Sequence, residues 1–321
     1  MKLLFNRSPY NGSTELKQLL GFIDADIKFD KIKPDIITAT SELQKMIGKN
    51  MYESVIGIYE ADSRSEDQET LLYLTRYPIA VKAYMLLAPS NDIAHTANGR
   101  KMRQDNNEKQ AFEFMLDRDN DAMERRYYRA LDDLLEHLDG VSGWKESDAY
   151  KASHKLFIRT TSEFDEFFPI DSRLVLLKLA PGIRQCEQNE ILPLIGPIRF
   201  ADLKAKLTGG SVLTEVQDLQ LLYLIKEACV YFSLAWAMMR LSVKIFPDGV
   251  LQAYTSDRMT TKGKLPAVKS EPEAARQAFM ADAAAVFKKI EMLLAPAPLV
   301  FPNACDTLTE EFISGTKFLS T

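Results

Sequence analysis

Apolar residues recur at helical spacing through most of this chain, and the few places where the period fails divide it into elements. Ile36, Ala39, Leu43 and Ile47 form one face of a helix predicted to begin near Asp30, with Pro34 in its first turn and Gly48 at its end. Met51 to Tyr59 predicts a short helix carrying Tyr52, Val55 and Ile56. From Glu69 to about Leu87 apolar positions occupy most faces, the pattern of a helix buried centrally in a bundle, which Pro78 is expected to kink or divide. Between these helices, Ala61 to Gln68 is an acidic loop. Glu108 to Leu138 is a long amphipathic helix with the stripe Phe112, Met115, Leu116, Met123, Tyr127, Leu131 and Leu135. Its predecessor, Asp92 to Gln104, loses the period and holds Asn98-Gly99, a strong signal for a tight turn between two short strands. At the front, Lys2-Leu3-Leu4-Phe5 is a short strand-like run. Asn11-Gly12-Ser13-Thr14 then supplies cap chemistry for a helix from about Thr14 to Ile23.

The second half repeats this order. Ile32-Lys33-Pro34-Asp35-Ile36, followed by Ile47-Gly48 and Tyr52, returns as Leu179-Ala180-Pro181-Gly182-Ile183, followed by Ile195-Gly196 and Phe200. Leu71-Leu72-Tyr73-Leu74 returns as Leu221-Leu222-Tyr223-Leu224, and Asn98-Gly99 falls on Asp248-Gly249. The remaining elements are helices at about Ser172 to Leu192, Thr214 to Leu241 and Glu271 to Leu294, with a short helix around Phe200 and Leu203. A polar loop spans Thr255 to Ser270. Lys155-Leu156-Phe157-Ile158 matches the opening strand-like run, and Lys317-Phe318-Leu319 is a third copy, so these runs are expected to seam units together within or between chains. The expected fold is mainly α: two pseudo-repeated helical-bundle units, each with a small β-hairpin. Unit one covers 1–152 with its hairpin near 92–104. Unit two covers 153–321, with its hairpin near 242–254 and a C-terminal tail at 295–321.

Composition narrows the function classes. The chain has 321 residues, 46% of them apolar, with a net charge of −5. That charge is uneven, −6 over residues 1–150 and +1 over the rest. An acidic surface argues against dedicated nucleic-acid binding. Cys186, Cys229 and Cys305 are too far apart and too few for a disulfide framework or a zinc pattern. The longest apolar stretch, Ala228 to Met239, is shorter than the roughly 20 residues that cross a bilayer, so no membrane partner and a reducing compartment are expected.

No motif carries a reaction. His95, His137 and His154 lack second ligands at metal spacing, and no serine elbow, phosphate loop or dinucleotide fingerprint is present. Asp117, Asp119 and Asp121 resemble the start of a calcium loop, but Ala122 stands where glycine is needed and Tyr128 where the bidentate glutamate belongs. A solvated helix face explains them better. The aromatic and methionine residues Tyr231, Phe232, Trp236, Met238 and Met239 read as helix packing rather than a ligand pocket. No catalytic residue, cofactor or metal is expected.

The segments Leu179-Ala180-Pro181-Gly182-Ile183, Cys186-Glu187, Ile191 to Gly196 and Phe246-Pro247-Asp248-Gly249 resemble an uncharacterised family encoded in Bacteroidetes phages and prophages. In addition, the pattern from Glu15 to Leu87 is similar to that of phage head-tail connector proteins. This resemblance implies a non-enzymatic neck or adaptor component of the virion, assembled in the bacterial host cytoplasm. It also implies a homo-oligomeric ring between portal and tail proteins, with DNA passing without sequence-specific binding. The expected docking residues are His95, Asn98, Gly99, Asp248, Gly249, Lys317 and Phe318. The rival readings are an intracellular helical enzyme using His95 or nearby acids, and a monomeric protein-binding adaptor.

Overall fold

The computed structural model describes residues 1–8, 11–23, 27–96, 99–102, 111–209, 215–241, 243–246, 249–252 and 270–295. Helix α1 (Gly12–Leu20) starts at Asn11, whose side chain accepts the Ser13 N–H, and stops at Gly21 with φ 66°. Helix α2 (Phe29–Ile47) buries Ile32, Ile36, Ala39, Leu43 and Ile47, with Pro34 beyond the first turn, inside the helix. Gly48, at φ 83° and ψ 153°, is a one-residue joint to α3 (Lys49–Glu60). That backbone geometry disfavours any residue with a Cβ. Helix α4 (Glu66–Asp92) begins earlier than the acidic loop suggested, because Ser65 and Gln68 form a capping box. It also runs unbroken through Pro78 and Pro89, so the expected division at Pro78 does not occur. Pro78 is buried between neighbours, and the packing of α4 on α2 and α5 sustains the helix across the missing hydrogen bond.

Strands β1 (Ile93–Thr96) and β2 (Gly99–Met102) pair antiparallel, Thr96 opposite Gly99 and Ile93 opposite Met102. Helix α5 (Glu113–Leu138) buries Met123, Tyr127, Leu131, Leu134, Leu135 and Leu138. The front of its predicted stripe is not core: Phe112 is 68% and Met115 47% exposed. Short helices α6 (Asp148–Ser153) and α7 (Thr161–Asp165) follow, the second opened by a capping box of Thr160 and Glu163.

Helix α8 (Arg173–Cys186) passes through a wide π turn at Glu187–Ile191 into α9 (Leu192–Ile195). Gly196, at φ 82° and ψ 154°, joins this to α10 (Pro197–Thr208). Helix α11 (Val216–Met238) crosses α8 so closely that a Cβ on Gly182 would stand 3.1 Å from the Trp236 ring and 3.2 Å from Ser233 Cα. Strands β3 (Val243–Phe246) and β4 (Gly249–Gln252) pair antiparallel, and α12 (Ser270–Leu294) packs along α11. The mainly-α class therefore holds. Helix α11 extends beyond the apolar stretch seen in sequence and is long and apolar enough to cross a membrane, yet 61% of its apolar window is buried inside the protein.

The strand-like runs Lys2–Phe5 and Lys155–Ile158 are not strands. Both are irregular, and the last two residues of each are buried: Leu4 is 0% and Phe157 3% exposed. Carboxylates take the Phe157 N–H and the N–H of the residue that follows each run, Asn6 and Arg159, as the next subsection describes. Lys317-Phe318-Leu319 and the polar stretch 255–269 lie outside the described residues. Two hydrophobic clusters result, one running from Leu4 to Tyr150 and the other from Phe157 to Ile290.

Candidate functional site

Each cluster is organised around buried charge. In the first, Glu15 of α1 accepts the Asn6 N–H and the Tyr59 hydroxyl and pairs with Arg76 of α4 at 2.6 Å. The Arg76 guanidinium also lies 4.9 Å from the centre of the Phe5 ring. Burial, chiefly, pushes the Tyr59 hydroxyl up to about 12. Nearby, the Tyr52 hydroxyl donates to the Lys2 carbonyl.

In the second cluster, Glu163 of α7 accepts the Arg159 and Thr160 N–H groups and pairs with Lys226 of α11 at 2.8 Å. Burial raises this carboxyl, but Lys226 and the two N–H groups pull it below its ordinary value. A second pair lies deeper. Glu187, 1% exposed, accepts the Phe157 N–H and pairs at 2.9 Å with Lys204. The Lys204 ammonium also donates to the Lys155 carbonyl and sits 3.7 Å from the Phe157 ring centre. Burial raises the Glu187 carboxyl and lowers the Lys204 ammonium, so desolvation outweighs their mutual attraction. Cys186 and Cys229 are buried free thiols, and the hydrogen bond to Cys186, followed by burial, raises Cys229 well above its usual range. Such thiols are poor nucleophiles.

Glu163 gives a pH prediction. A carboxyl held below its ordinary value of 4.5 contributes stability that is fully present above that value. The contribution is lost as pH falls through the lower folded value. In urea titrations, wild type should exceed Glu163→Gln most at neutral pH, and the gap should close progressively below about pH 4.5. A gap independent of pH would rule out this account.

The clusters meet across a polar junction. Asp132 of α5 pairs with Arg173 of α8 at 2.8 Å and accepts the Thr161 hydroxyl at 2.6 Å. One turn on, Glu136 accepts the Ser162 hydroxyl at 2.8 Å, and Asp139 pairs with Arg159. Asp139 also accepts the Trp144 indole N–H at 3.1 Å. The partners that join α5 and its C-cap to the second cluster lie 20 to 41 residues apart in sequence, so no local spacing announces them.

Of the docking residues proposed from sequence, His95 lies in β1 opposite Arg100, while Gly99 and Gly249 open β2 and β4. Asn98, Asp248, Lys317 and Phe318 lie outside the described residues. Asp117, Asp119 and Asp121 lie on the exposed face of α5, and among the described residues no group of His, Cys, Asp and Glu is placed to hold a metal. A cleft of about 760 Å³ lies between α2 and α3 beside Lys2, with Lys45, Lys49, Tyr52 and Glu53 in its walls.

A model of a protein family matches residues 17–154 and 191–307. The chain belongs to DUF6712, a family of unknown function. No curated protein and no solved structure matches it. The two stretches matched by the DUF6712 model leave out the Lys155–Ile158 run and α8, and between them take in most of both clusters.

Proposed function

We propose that this DUF6712 protein is a non-enzymatic structural component of a phage particle, a head-tail connector or neck protein. It would form a homo-oligomeric ring between portal and tail proteins, with DNA passing through. The reading rests on two related helical units in one chain, and one observation carries it: partly buried ion pairs recur at corresponding places. Glu15 pairs with Arg76 and Glu163 with Lys226, the two cations 150 residues apart on α4 and α11. The helices α4 and α11 start with that same separation, as do both hairpins, residue for residue. The joints Gly48 and Gly196 share their backbone angles within about one degree.

The π turn supports the same correspondence. Pro34 and Pro181 are 147 residues apart but Gly48 and Gly196 are 148 apart, and the π turn lies between Pro181 and Gly196, where one residue is added. A π turn is what a one-residue insertion makes of an α-helix. A repeated packing unit with paired hairpins suits an assembly that stacks related faces, and on this reading the hairpin tips and the acidic first half face neighbours and the DNA channel.

Negative-stain electron microscopy of the purified full-length protein, with light scattering, tests the proposal. Closed rings are expected. A monomer at every concentration tried would sink it.

A further inference from the structure

We infer that α12 docks a second copy of this chain, head to tail, onto the start of α1, reproducing between chains the junction that α5 makes within one. The inference rests on the two-unit reading above.

Helix α12 corresponds to α5 at a separation of 152 residues. Tyr127, Leu131, Leu134 and Leu138 face the first cluster, and Phe279, Ala283, Val286 and Ile290 face the second. This register places the outer faces too. On α5 the outer face carries Asp132, Glu136 and Asp139, the residues that hold the next unit through Arg173, Thr161, Ser162 and Arg159. On α12 the same positions are Ala284, Lys288 and Glu291, all exposed. Ala281 and Ala285 beside them are exposed as well, and Met292 is 76% exposed. Within the chain the second unit covers the outer face of α5, whereas among the described residues nothing covers the same positions of α12. The three alanines, Ala281, Ala284 and Ala285, let another helix approach closely.

The receiving surface follows from the same correspondence. Ser162, the partner of Glu136, falls on Ser13 when the caps Thr160 and Asn11 are matched and on Thr14 when Glu163 and Glu15 are matched. Lys288, standing where Glu136 stands, therefore meets Ser13 or Thr14, at the start of α1 in the second copy. Ser13 holds the Phe29 N–H, which puts exposed Asp30 beside it. A lysine in place of the glutamate suits this partner, because residues 1–150 carry −6 and the remainder +1. The contact joins two different faces, so it repeats from copy to copy and closes into a ring if the rotation allows.

Paired cysteines test the contact. In a Cys305→Ser background, full-length Lys288→Cys/Ser13→Cys should give a ladder of disulfide-linked oligomers under mild copper-phenanthroline oxidation. Neither single variant should give a ladder beyond dimers, and dithiothreitol should collapse it. Because Ser13 supports the start of α2, Lys288→Cys/Thr14→Cys, at the exposed neighbouring position, serves as the second pair. Oligomers seen by light scattering with no ladder from either pair would overturn this contact and leave the assembly reading standing. A protein that stays monomeric would overturn both.

Discussion

Replacing Lys204 with methionine should destabilise the protein by about 3–5 kcal/mol, because it leaves the Glu187 carboxylate buried without its cation. The substitution keeps most of the apolar stem that covers Phe157 and Phe200, so lost charge rather than lost volume dominates. Pairing it with Glu187→Gln should recover much of the loss, since an uncharged pair no longer bears the desolvation cost. The pH dependence separates this from a packing defect. The Glu187 carboxyl is already raised above 4.5 in the folded protein, and removing Lys204 raises it further. A raised carboxyl favours folding below its unfolded value and loses that contribution as pH rises through the folded value. The deficit of Lys204→Met should therefore shrink toward acid pH. Urea midpoints of the two variants at neutral and acid pH measure it, and a loss under 1 kcal/mol would contradict the argument.

Trp144→Ala should cost about as much, roughly 3–5 kcal/mol, by a different route. The indole is 0% exposed and packs edge-on against Tyr150 at 6.1 Å between ring centres. Its loss leaves a cavity in the first cluster and frees Asp139, which the indole N–H steadies while Asp139 pairs with Arg159 across the junction. Trp144→Phe keeps most of the volume and should cost much less, with about 1 kcal/mol assigned to the hydrogen bond. The protein has two tryptophans, and the other, Trp236, packs on the second cluster. In Trp144→Phe its fluorescence reports the second half alone. If the junction couples the halves, that signal and the overall helical signal change at one urea concentration; separated transitions would show that Asp132, Glu136 and Asp139 hold them only loosely.

Much of the helical order is legible in the sequence because burial imposes a period. Ile32, Ile36, Leu43 and Ile47 had to line one face, and Gly48 and Gly196 had to stop their helices, since both take backbone angles that other residues avoid. Pro78 misled because a proline's local cost is fixed while the packing that offsets it comes from α2 and α5, elsewhere in the chain. Lys2–Phe5 and Lys155–Ile158 misled because a short apolar run looks alike in a strand and in buried irregular chain. What distinguishes the two is where the backbone N–H groups go, and here those of Phe157 and of Asn6 and Arg159, just after the runs, reach Glu187, Glu15 and Glu163. Those acids carried one faint signal: each adjoins a residue destined for the core, Leu16, Phe164 and Cys186. The partners of Asp132 and Asp139 carried none, because pairing over such separations is set by the fold alone.

The seal that Arg76 places over Phe5 also has a consequence in time. On the ribosome, Leu4 and Phe5 are made about seventy residues before Arg76, a delay of roughly 4–14 s at about 5–20 residues per second. Until α4 emerges, that apolar run has neither its cation nor the wall of α3 and α4 against which it is buried. During synthesis the stretch is open to chaperones and to neighbouring nascent chains, and the first unit closes around its own beginning only after its central helix has been made.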